Sequence, residues 1–120
     1  MTLPGKYPQE IEMWYVLPAI RKELVIALKN QGKSQKETAL LLNLTESAVS
    51  QYLNEKRAKE VFLPKEIKEF IAEAAMKVKD KESAYQQIQK ISAYVKRTKA
   101  ICKIHMGVEK GLERCQICFE

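Results

Sequence analysis

The sequence predicts an all-α fold: an N-terminal helix-turn-helix bundle followed by two longer helices and a short C-terminal tail. Three observations lead there. Apolar residues recur at steps of three and four, the helical spacing. No stretch alternates apolar and polar as a half-buried strand would. Glycine, proline and short polar residues separate the patterned segments at helical lengths. The chain of 120 residues suits one small domain, or a small domain with an appendage. The expected division is residues 1–63, a helical dimerisation region over 64–101, and a tail over 102–120.

The start, with Pro4, Gly5 and Pro8, reads as an irregular arm. Residues 11–31 are helix-like but contain Pro18, which removes a backbone donor and clashes with the preceding turn. This predicts a short helix ending near Val16 and a second one beginning there. The second helix carries the stripe Ile20, Leu24, Ala27 and Leu28, and Gly32 stops it. Two short helices follow, over 34–42 and 46–54. A basic connector from Lys56 to Leu63 closes at Pro64, which opens a helix over 64–79 with the stripe Ile67, Phe70, Ile71, Ala74, Ala75 and Val78. Residues 80–82 are a polar break. The last helix, over 83–104, places Ala84, Ile88, Ile91, Val95, Thr98 and Cys102 at alternating steps of four and three. That is coiled-coil seam spacing, so the stripe is expected to serve both the chain's own core and a homodimer seam.

Residues 34–57 carry the sharpest signal. Ser34 followed by Glu37 has capping-box spacing. Ala39 is small where two helices must cross closely, Leu42 and Leu44 bracket the turn, and Val49 and Leu53 return to the core. Asn43 occupies a position that requires left-handed backbone, which asparagine tolerates. Thr45 caps the next helix. Glu46, Ser47, Ser50, Gln51 and Asn54 then share a polar face whose side chains suit base edges in a major groove. Ser34, Gln35, Lys36, Lys56 and Arg57 flank it where phosphates would lie. A net charge of +6 favours a polyanionic partner.

This segment resembles the helix-turn-helix of the phage-repressor-like, or XRE, family of transcriptional regulators. The residues that carry the resemblance are Gln35, Ala39, Leu42, Leu44, Thr45, Val49, Ser50, Tyr52, Leu53 and Asn54, followed by Lys56 and Arg57. It implies that the second helix reads bases in double-stranded DNA and that Gln35 meets the backbone. Two positions depart from the family pattern. Asn43 stands in place of the usual glycine, and Glu46 puts an anion at the start of the reading helix.

All three cysteines and the single histidine lie in the C-terminal segment: Cys102 and His105, then Cys115 and Cys118. Two pairs, each with two intervening residues, can converge on one centre. One metal centre per chain is expected, a zinc ion or an iron–sulfur cluster, with zinc slightly favoured. The chain as a whole resembles small archaeal regulators that join such a helix-turn-helix to a Cys/His tail. Buried thiols or a Cys115–Cys118 disulfide are the alternatives.

No run of about 18 apolar residues occurs and the start lacks a signal pattern, so a cytoplasmic protein without membrane contact is expected. Four protein ligands leave no open metal position, and no second histidine is present to act as base. No enzymatic role and no small-molecule substrate are therefore expected. The competing function is a metal-stabilised helical interaction module without operator binding.

Overall fold

A computed structural model describes residues 7–54, 63–98 and Ile104, and these are helical throughout apart from turns and caps. The elements are α1 (Pro8–Ile11), a π turn (Glu12–Val16), α2 (Leu17–Asn30), α3 (Gln35–Leu42), α4 (Glu46–Leu53), α5 (Lys65–Ala75) and α6 (Lys81–Arg97).

The expected boundary falls where the sequence places it, with the π turn ending at Val16 and α2 starting at Leu17 with Pro18 in its first turn, but the chain does not leave helical geometry there. The chain stays helical from residue 8 to residue 30, and the π turn absorbs the proline. Pro18 cannot donate to the carbonyl four residues back, and its ring crowds that carbonyl. The wider turn relieves both problems: the Leu17 N–H bonds the Glu12 carbonyl, five residues back. Ile11 and Val16 thereby join Ala19, Ile20, Leu24, Val25 and Leu28 in one buried face. The helix ends as expected. Gly32 takes φ +92°, its N–H bonds the Lys29 carbonyl at 2.9 Å, and the Lys33 N–H reaches the Leu28 carbonyl at 3.3 Å. This is a Schellman closure, which residues with a Cβ disfavour.

Central helix α2 packs against α3, α4, α5 and α6, while α6 also lies on α5 and α3. One apolar core results. Val49 and Tyr52 of α4, Ile67, Ile71, Ala74 and Ala75 of α5, and Ala84, Ile91 and Val95 of α6 all belong to it. Leu63 and Ile104 enter the same core. The break between α5 and α6 falls earlier than expected, at residues 76–80. Asp80 is the cap of α6: its carboxylate accepts from the Ser83 N–H at 2.7 Å, and the Ser83 hydroxyl lies 3.0 Å from the Asp80 nitrogen.

The α6 stripe is an intrachain seam. Ala84, Ile91 and Val95 are buried within this chain and Ile88 is partly buried against the core. The part of the expectation that concerns the chain's own core is thus met by Ala84, Ile91 and Val95, while Ile88 and Thr98 keep part of their surface exposed. Cys102, the stripe's last member, lies outside the described residues. Elsewhere on α6, Tyr94 stacks on Phe70 with centroids 4.2 Å apart, and the Arg97 guanidinium sits 5.6 Å from the Tyr94 ring centre. The Lys96 Nζ pairs with Glu12 at 3.1 Å, tying α6 to the π turn. Among the described residues, no helix is long and apolar enough to cross a membrane.

Candidate nucleic-acid interface

The site is built by three short polar residues acting on backbone. Ser34 is extended (φ −72°, ψ 164°) and its Oγ accepts from the Glu37 N–H at 3.1 Å, starting α3. Thr45 does the same for α4 (φ −84°, ψ 157°), its Oγ1 accepting from the Ala48 N–H at 3.0 Å. Each bond satisfies a donor that the helix itself leaves unpaired. Between them, Asn43 adopts left-handed backbone at φ 56° and ψ 45°. The Leu44 N–H then bonds the Ala39 carbonyl at 2.8 Å, and the Asn43 N–H bonds the Leu40 carbonyl at 3.4 Å. Three residues thus reverse the chain from α3 into α4. Ala39, Leu42 and Val49 are buried, and Leu44 and Leu53 pack partly against the same core.

Helix α4 has two faces. Ala48, Val49 and Tyr52 are buried, whereas Glu46, Ser47 and Asn54 are exposed. Ser50 and Gln51 lie on the outer side but are half-buried. The Ser50 Oγ accepts from the Asn54 amide at 3.4 Å, so these two side chains are coupled. Ser34, Gln35 and Lys36 are exposed at the start of α3. The structure therefore gathers eight of the ten expected DNA-facing residues at the α3 start and along α4. The remaining two, Lys56 and Arg57, lie outside the described residues. So do Cys102, His105, Cys115 and Cys118.

Glu37 and Glu46 sit in the first turns of α3 and α4, where a carboxylate complements the helix dipole. The Glu46 anion at the start of α4 thus has a structural cause. Two positions in this segment were not singled out as core from the sequence. Tyr52 is one of the largest fully buried side chains. Its spacing of three from Val49 and four from Ala48 would have placed it on the inner face. Thr38 is fully buried, and its Oγ1 has no hydrogen-bond partner among the described residues.

The aromatic residues near the start divide. Tyr15 packs against the core, but Tyr7 and Trp14 are 75% and 52% exposed. Those two do not fill the chain's own core. No protein family, curated protein or solved structure matches this chain.

Proposed function

We propose that this chain is a sequence-specific transcriptional regulator that reads double-stranded DNA with α4. The observation that carries the reading is the α3–α4 unit itself. Two capped helices are joined by a three-residue turn with left-handed Asn43, and α4 is apolar inward and short-polar outward. A helical hairpin needs the apolar face alone. It does not need amide and hydroxyl side chains at Ser47, Ser50, Gln51 and Asn54, which are suited to base edges. Lys36, Lys56 and Arg57 supply cations for flanking phosphates.

A helix this short contacts few base pairs, so a twofold homodimer with half-sites one helical turn apart is part of the proposal. So is one zinc ion or iron–sulfur cluster held by Cys102, His105, Cys115 and Cys118. These four residues suit a closed centre because thiolates and imidazole are the donors that both kinds of group take.

The test is selection from a randomised duplex library, followed by affinity for the selected and scrambled sequences across a salt series. A selected site bound more tightly than its scramble, with affinity falling steeply from about 50 to 200 mM salt, supports the reading. Equal, salt-insensitive affinity, or none, returns the chain to a protein-interaction role.

A further inference from the structure

A groove of about 450 Å³ opens between α2, the α3–α4 turn and α6. Leu17, Leu41, Leu42, Ala84 and Ile88 supply its apolar surface. The polar groups at its edge are Arg21, Lys81, Asn43, Gln89 and the Tyr85 phenol. Two of these are cations and none is a carboxylate. Among the described residues, neither Arg21 nor Lys81 has an ion-pair partner. Arg21 is half-buried, so part of its side chain lies beside this apolar surface. The volume lies in the range of small-molecule clefts, and the groove joins an apolar floor to an exposed polar rim of Lys81, Tyr85 and Gln89.

From these groups we infer that the groove binds a small amphipathic carboxylate. Its apolar body lies against Leu17, Leu41 and Ile88, and its charged end meets Arg21 and Lys81. The guanidinium fork matches the two oxygens of a carboxylate, and Lys81 adds a point charge from the first turn of α6. Gln89 and Tyr85 offer further donors at the rim. The site is distinct from the outer face of α4, yet it contains Leu42 and Asn43, the last residue of α3 and the left-handed residue of the turn. Occupancy therefore bears directly on the joint that sets α4 against α3.

The experiment titrates the full-length protein, without DNA, with naphthylacetate and separately with naphthylacetamide. The two probes share an apolar body and differ in charge. Amide chemical shifts report where each binds. The expected result is saturable binding of the acid, with shifts centred on residues 17–21, 41–43 and 81–89. Its affinity should exceed that of the amide about tenfold. Arg21→Gln and Lys81→Gln should each weaken the acid more than the amide, and so shrink that preference. Lys81 is exposed in the first turn of α6, so its replacement spares the core even if the Arg21 variant folds poorly. Equal affinity for acid and amide, or shifts lying elsewhere, would overturn the assignment. Because no DNA is present, this outcome is separate from success or failure of the DNA-binding reading.

Discussion

At the scale of single residues, the informative positions are those whose local chemistry admits few alternatives. Ser34, Asn43 and Thr45 were legible in the sequence because capping and left-handed backbone depend on the residue and its immediate neighbours. Asn43→Gly should therefore leave stability nearly unchanged. Asn43→Val should cost about 1–2 kcal/mol in urea unfolding, the penalty for forcing a side chain with a branched Cβ into that conformation. Thr38 was not legible, because burial of a hydroxyl that has no partner among the described residues is a property of the assembled core. Thr38→Val keeps the shape and removes the orphaned group, so it should stabilise the protein by about 1 kcal/mol. On the outer side of α4, Gln51→Ala should weaken a selected operator by about 1–3 kcal/mol relative to its scramble, a ratio that a change in stability alone leaves unmoved. Unchanged discrimination in a binding titration would remove Gln51 from the reading set.

At the scale of elements, periodicity located the helices from α2 to α6, and Pro18 marks the boundary at which α2 begins, because proline is tolerated only in a helix's first turn. The π turn keeps the chain helical up to that boundary by moving the hydrogen bonds to residues five apart, and nothing in a period of 3.6 reports that option. The α6 stripe was found correctly, but a pattern of buried positions does not say what buries them. The Asp80 cap is an element-level device with a pH signature. The Ser83 N–H bond is the main cause that holds the Asp80 carboxyl below its usual range, aided by the Ser83 hydroxyl. A carboxylate with a depressed folded-state pKa contributes stability that is present above its unfolded value and lost as pH falls through the folded one. Stability should therefore decline below about pH 4, and part of that slope should vanish in Asp80→Asn, which retains an acceptor but no charge. Thermal melts of both proteins from neutral to acid pH measure the difference.

For the whole molecule, the decisive fact is that α2 to α6 contribute to one core. Ala84, Ile91 and Val95 bury their side chains against the bundle, so removal of residues 81–120 should abolish cooperative melting rather than yield a folded monomer. Removal of residues 99–120 deletes only Ile104 from the described core and should keep a cooperative transition, lowered by the loss of one buried side chain. The metal proposal follows the same division. If Cys102, His105, Cys115 and Cys118 form one closed centre, anaerobically purified protein should carry one zinc ion or one cluster per chain. Replacing any one of the three cysteines with serine should release it, since a lost ligand opens the site to solvent and chelators. Chelation should leave most of the helical circular dichroism intact, because the helices over 8–53 and 65–97 are held by apolar residues that among the described residues lie almost wholly before residue 99. The two centres differ in one further respect. Zinc has no redox chemistry, so exposure to air should not quickly change affinity for a selected duplex. A cluster should lose its visible absorption in air, with affinity changing on the same time course. Colourless protein with stoichiometric zinc would exclude redox control through a cluster, and fully reduced thiols with no bound metal would dismiss the centre altogether.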